Sequence, residues 1–496
     1  MARTHTKNNF ERSSGILLHP TSLPSKHGIG DLGNAAYGFV NVLAETKQKL
    51  WQVLPLGPTG FGDSPYQCFS TFAGNPLLIS LEKLSEAGFL SAQELDNSEK
   101  FDDTKIDYGR VINYKYALYR KAFANFVENK EYKTFCLNKG LWLNDYALFM
   151  ALKQHFNGRS WNEWDKSIKL REPVAVAKYT KLLSKEIAFH KFLQFCFFKQ
   201  WYELKTHANK NGIKIIGDIP IYVAFDSSDA WSNPSAFFFD KEMNPTKVAG
   251  VPPDYFSKTG QLWGNPLYNW RALKKDNYKW WLDRIQATKE LVDIIRIDHF
   301  RGFCEYWAVP SSSTTAIDGK WEKGPGVDIF IAIKELLGEL PILAEDLGLL
   351  TPDVHALRDK FGFPSMKILE FAFNAHEGSS YIPHLLERNS VVYTGTHDND
   401  TVVGWFKKAG QDDKNLFMEY TNTDGKNVAW DFIRLAFASV ANIAIVPMQD
   451  ILSLDTDARM NTPSLASGNW QWRFKWDQVT PEIKDRLKRF TELYQR

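Results

Sequence analysis

The chain has 496 residues, 44% of them hydrophobic, and its 60 Lys plus Arg nearly balance 58 Asp plus Glu, leaving a net charge of +2. That length accommodates one large domain with insertions or two to four smaller ones. The balance excludes the basic surplus of a nucleic-acid binder and the polybasic tail of a membrane-surface protein.

Four cysteines, Cys68, Cys136, Cys196 and Cys304, lie far apart with no zinc-type spacing, which fits reduced thiols. No apolar run reaches the ~18 residues of a membrane span. The opening MARTHTKNNFERSSG lacks the apolar core of a secretory signal, so a cytoplasmic location is expected. Aromatics make up 14% of the chain and include 17 Trp, flat faces that serve a core or a sugar ring equally well.

In chain order, GILLHP (15–20) reads as a first strand and NAAYGFVNVLAETKQ (34–48) as a helix. KLWQVLPLG (49–57) is the second strand. About 150 residues then precede the third, too many for an ordinary strand–helix connection. They contain helical patterns at 107–128, 144–156 and 186–204, so 80–205 is expected to be an inserted, mostly helical subdomain. IKIIGDIPIYV (213–223) is the third strand. The aromatic, Gly- and Pro-rich stretch 224–270 is expected to be a loop excursion over the active site. Helical YKWWLDRIQATKELV (278–292) leads to DIIRIDHFRG (293–302), the fourth strand. VDIFIAIKELLG (327–338) precedes LPILAEDLG (340–348), the fifth. TPDVHALRDKFG (351–362) precedes MKILEFAF (366–373), the sixth, and SVVYTGTHD (390–398) and NIAIVPMQD (442–450) complete eight. Eight strands alternating with helices predict an α/β fold, a single (β/α)8 TIM barrel over 1–496. A doubly wound open sheet is the alternative, and it accounts poorly for eight strands that nearly all end in polar residues.

Those ends are where the chemistry lies. Strand side chains alternate, so Ile294, Arg296 and Asp298 share a face, with Asp298 at the C-terminal rim where barrel enzymes act. Asp218, Glu345, Asp346, His397, Asp398, Gln449 and Asp450 close other strands. Carboxylates converging on one mouth repel each other unless a cationic transition state or a metal needs them. Retaining glycosidic transfer requires a nucleophile and an acid/base. Asp298, with the Arg296 cation two residues before it, suits the first. Glu345, behind the apolar run PILA and among other anions, suits the second. Asp398 is a third carboxyl for oxocarbenium charge or a ring hydroxyl, and His299 and His397 offer donors to sugar hydroxyls. Taken one at a time, these residues are equally well read as rim ion pairs and helix caps.

GDIPIYV, RIDHFRG, AEDLG and THDND, together with LLHPTSLPS, SPYQ and the GNW-x-WR run, resemble the 4-α-glucanotransferases (amylomaltase, or disproportionating enzyme; glycoside hydrolase family 77) of the α-amylase clan. The resemblance spans nearly the whole chain. It implies Asp298 as nucleophile, Glu345 as acid/base and Asp398 as transition-state stabiliser. It also implies that Tyr66, Asp218, Arg296 and His397 line the donor glucose site, that Gln261 and Trp263 lie in a mobile loop over the glucan, and that Asp254 and Asn461 contact it. Two positions depart from the family pattern: Ser464 stands where glycine is usual, and Phe61 where tyrosine is frequent. The expected partners are α-1,4-glucans and maltooligosaccharides, not nucleic acid or membrane, with the chain a monomer or weak homodimer. A hydrolase of the same clan and a non-catalytic glucan-binding barrel remain alternatives.

Two motifs point elsewhere. GIGDLG (28–33) has dinucleotide-loop spacing but does not follow a strand directly. HDND (397–400) holds metal-ligand types, but adjacent strand residues point to opposite faces. No cofactor and no metal are expected.

Overall fold

The computed structural model describes residues 10–96, 99–253, 257–348, 350–465 and 467–496. Eight short strands form its centre: β1 (Ser13–Leu17), β2 (Leu50–Gln52), β3 (Lys214–Ile219), β4 (Ile294–Ile297), β5 (Ile342–Ala344), β6 (Ser365–Ile368), β7 (Ser390–Tyr393) and β8 (Ile443–Pro447). β4 reads IIRI and β8 IAIVP, and every residue of both is buried. Such two-sided burial belongs to parallel strands sheathed by helices. All pairings are parallel, in the order β6-β7-β8-β1-β2-β3-β4-β5. At the seam between β5 and β6, Met366 in β6 donates its backbone N–H to Asp346 Oδ1 just past β5 (2.7 Å). The result is a nearly closed (β/α)8 barrel.

Helices Asn34–Glu45, Lys279–Leu291, Val327–Leu337 and Pro352–Lys360 occupy the stretches where their periodicity placed them. Gln411–Thr421, Val428–Ala438 and Pro481–Leu493 are further helices that none of the runs above covers. Val428–Ala438 buries Val428, Ala429, Trp430, Asp431, Phe432, Ile433, Ala436 and Phe437.

Between β2 and β3 the chain is mostly helical, ending in the 27-residue helix Ser184–Lys210. That helix runs past residue 205, and its buried side chains belong to the same core as the barrel's. It stops at Asn211 and Gly212. Gly212 takes φ 76°, a left-handed conformation that costs glycine little, and Ile213 N–H reaches back to Ala208 O (2.9 Å) before β3 begins.

The stretch 224–270, expected as loop, is partly strand. Lys247–Val251 and Gln261–Pro266 pair antiparallel and join Glu305–Pro310 and Lys320–Lys323 in a second sheet of four strands. One of the two partners of Lys247–Val251 is Glu305–Pro310, which lies after β4, beyond the reach of any pattern within 224–270. Among the described residues, no helix is long and apolar enough to cross a membrane.

Candidate active site

Strand register assembles the site. β3 and β4 pair with Asp218 opposite Arg296. β4 and β5 pair with Ile297 opposite Ala344, which sets Asp298 and Glu345 side by side one step higher. Asp298 N–H bonds Ile219 O and Glu345 N–H bonds Ile297 O, each at 3.0 Å, so both backbones stay in the ladder.

Arg296 is buried and links two carboxylates. Its Nη1 donates to Asp218 Oδ2 and to Asp298 Oδ1, the latter at 3.0 Å. Burial disfavours the cation, but Asp218 and Asp298 outweigh it and hold the guanidinium charged. Burial pushes the Asp218 carboxyl up to about 6 against the pull of Arg296, so Asp218 is ionised at neutral pH. Tyr66 Oη donates to the same Asp218 oxygen (2.7 Å).

Glu345 has the opposite character. Dense packing around it, then the Asp298 charge, push its carboxyl up to about 8, so it carries a proton at neutral pH. Two backbone donors orient it, His299 N–H on Oε2 (2.6 Å) and Leu347 N–H on Oε1 (3.2 Å). His299 reaches this position by adopting φ 50°, uncommon for a residue other than glycine and costing on the order of 1–2 kcal/mol. Burial lowers the His299 imidazole to about 4, which keeps it neutral at neutral pH.

Asp398 stands across the mouth with its side chain 48% exposed. Its Oδ1 accepts from Asn461 Nδ2 (2.6 Å) and lies 3.4 Å from His397 Nε2. His397 and Asp398 therefore converge, contrary to the expectation of opposite faces. β7 ends at Tyr393, and the residues after it turn out of strand geometry. Among the described residues, no group of three or more His, Cys, Asp or Glu is arranged to hold a metal ion. The His397 ring stacks on Tyr66 with centroids 5.0 Å apart.

Of these groups, Tyr66, Asp298, His299, His397, Asp398 and Asn461 border a cleft of about 750 Å³ whose walls also include Tyr222, Trp263 and Trp470. Gln261 and Trp263 are on the strand Gln261–Pro266, and Trp263 Nε1 donates to Gln261 Oε1 (3.2 Å). The Trp263 ring meets His299 edge-on at 4.9 Å. Asp254 lies outside the described residues. Ser464 borders the cleft with φ 71°, so serine here takes the left-handed backbone that glycine adopts freely. Phe61 is 79% exposed.

Two of the strand-end acids are structural. Asp346 accepts from Arg358 Nη1 (2.6 Å) as well as from Met366 N–H. Asp450 accepts from Thr394 Oγ1 (2.5 Å) and Val402 N–H (3.0 Å) under the β7 loop. Sequence reasoning had not singled out Tyr222, Trp470 or the Gln67–Asn265 amide pair, whose Nε2 to Oδ1 distance is 3.3 Å. Trp470 and Gln67 lie inside motifs quoted above, so the signal was present without a role attached.

A parallel barrel that gathers a protonated Glu345, Asp218 and Asp298 on one arginine, and Asp398 beside an aromatic-walled cleft defines an enzyme of glycosidic bonds. Residues 18–479 match the family described as 4-alpha-glucanotransferase, glycoside hydrolase family 77. The chain is 50% identical over 496 residues to a 4-alpha-glucanotransferase of Synechocystis sp., covering 98% of each chain. It is 49% identical to that of Clostridium butyricum, covering 97% of this chain and all of the other. The amylomaltase of Streptococcus agalactiae, solved in complex with acarbose, superposes with a TM-score of 0.96 at 42% identity, covering 98% of this chain and 100% of that one. The chain belongs to the 4-alpha-glucanotransferase family.

Proposed function

We propose that this enzyme transfers α-1,4-glucan segments from one maltooligosaccharide or glucan to the 4-hydroxyl of another glucan or of glucose, through a covalent glycosyl–Asp298 intermediate. The Asp298 carboxylate attacks the anomeric carbon of the donor. The bond to the leaving segment breaks as Glu345 gives its proton to the departing oxygen. The acceptor 4-hydroxyl then attacks the same carbon, Glu345 takes its proton, and the ester to Asp298 breaks. Asp398 stabilises the oxocarbenium charge in both steps. Tyr66, Asp218, Arg296 and His397 hold the donor glucose, and Gln261, Trp263, His299 and Asn461 contact the chain around it.

The observation that carries this reading is the pairing of Asp298, beside the Arg296 cation, with Glu345, held protonated up to about 8. They follow neighbouring strands, which run about 4.8 Å apart. That spacing favours the ~5–5.5 Å carboxyl separation of retaining chemistry over the wider inverting one. Asp298→Asn is expected to abolish turnover of maltotriose while leaving the melting temperature and maltooligosaccharide binding near those of the parent. An Asp298→Asn enzyme that still turns over would overturn the assignment.

A further inference from the structure

We infer that Arg459 is a positioning residue for Asp398, an inference that rests on the role proposed above for that carboxylate. Arg459 sits in the segment Arg459, Met460, Asn461 beyond β8, far in sequence from β7. Its guanidinium bridges two backbone carbonyls: Nη2 donates to Asp398 O (2.5 Å) and Nε donates to Asn461 O (2.8 Å). Asn461 in turn donates from its backbone N–H to His397 O (3.0 Å) and from Nδ2 to Asp398 Oδ1 (2.6 Å). The links close a ring: Asp398 carbonyl, Arg459, Asn461 carbonyl, Asn461 amide, Asp398 carboxylate.

The ring adds to two longer contacts on Asp398, its N–H on Thr396 Oγ1 (3.3 Å) and His397 Nε2 3.4 Å from its Oδ1. Asp398 lies on the turn after β7, outside the ladder that fixes Asp298 and Glu345, and half of its side chain is open to the cleft. A carboxylate so exposed samples several rotamers unless its backbone and one oxygen are held, and misplacement by about 1 Å can cost roughly 100-fold in rate. Met460 extends the link across the site, since its carbonyl accepts the N–H of Trp470 (2.8 Å), whose ring lies beside Tyr66 and His397. The planar fork of arginine suits two carbonyls at once, whereas the single ammonium of lysine keeps the charge but not the two-point geometry.

The test compares Arg459→Met, Arg459→Lys and Asp398→Asn with the parent on maltotriose, with melting temperature measured for each. Arg459→Met is expected to lower kcat by roughly 10–100-fold with KM within a few-fold and the fold intact at assay temperature. Arg459→Lys is expected to be nearly as slow. Guanidinium added to the Met variant at a non-denaturing concentration is expected to recover part of kcat. Parent-like kcat in the Met variant, or full recovery by Lys alone, overturns the inference, the latter because charge and not the bridge would then suffice. If Asp398→Asn itself keeps parent activity, the role proposed for Asp398 fails; if Asp398→Asn is inactive while both Arg459 variants are fast, only the positioning of Asp398 by Arg459 fails.

Discussion

At the scale of single residues, the site separates the protonation of two carboxyls by their surroundings. Asp218 faces the buried guanidinium of Arg296 and ionises near 6, whereas Glu345 faces Asp298 and the packed rim and holds its proton to about 8. The proposed mechanism needs Asp218 charged against Arg296 and Glu345 protonated for the first step. kcat/KM is therefore expected to fall on the acid side as pH drops through about 6 and on the alkaline side as it rises through about 8. A rate that stays level through pH 8 to 9 contradicts the acid role of Glu345. The same shift affects stability. Below the ordinary Glu value of 4.5 both folded and unfolded chains hold the proton; above it only the folded chain does, so the folded state loses stability as pH climbs toward 8. Glu345→Gln should accordingly melt higher than the parent at pH 7 and alongside it at pH 4. The acids were legible in the sequence because each closes an apolar strand. What was not legible was which of them face the cleft: Asp346 and Asp450 close strands equally well but are taken up by Arg358 and Thr394.

At the scale of elements, the eight strands and the helices 34–45, 279–291, 327–337 and 352–360 followed from apolar runs and periodicity, since each has its own pattern, whereas the helices between β7 and β8 were not read. The second sheet did not, because Lys247–Val251 and Gln261–Pro266 are strands by virtue of pairing with each other and with Glu305–Pro310, a partner more than 50 residues on from Lys247. Trp263 is thereby carried on a paired strand, its ring against His299, the residue after Asp298. The acids cannot choose between water and a sugar as the second nucleophile; exclusion of water and an acceptor surface do. Trp263→Ala is expected to lower the ratio of transfer to hydrolysis several-fold while bond cleavage changes less, measured by counting longer products against reducing ends. An unchanged ratio removes Trp263 from acceptor use. The β7 turn shows the same limit on local reading. THDND looks like the end of a strand, but the chain leaves strand geometry after Tyr393, and contacts from residues 459–461 fix where His397 and Asp398 point.

At the scale of the whole molecule, a single core runs from the barrel into the helices between β2 and β3, and all the proposed chemistry gathers at the C-terminal end of the strands. Family membership fixes the class of reaction, and the geometry supports the proposed roles: Asp298 beside a cation, the protonated Glu345 beside it, and a third carboxyl, Asp398, at an aromatic-walled cleft. The central claim is transfer between glucan chains. The most direct measurement is to incubate the purified protein with maltotriose and no added cofactor, and to separate the products by length. A ladder of maltooligosaccharides longer than the substrate, together with free glucose, is the predicted result. Glucose and maltose with nothing longer than maltotriose would contradict it.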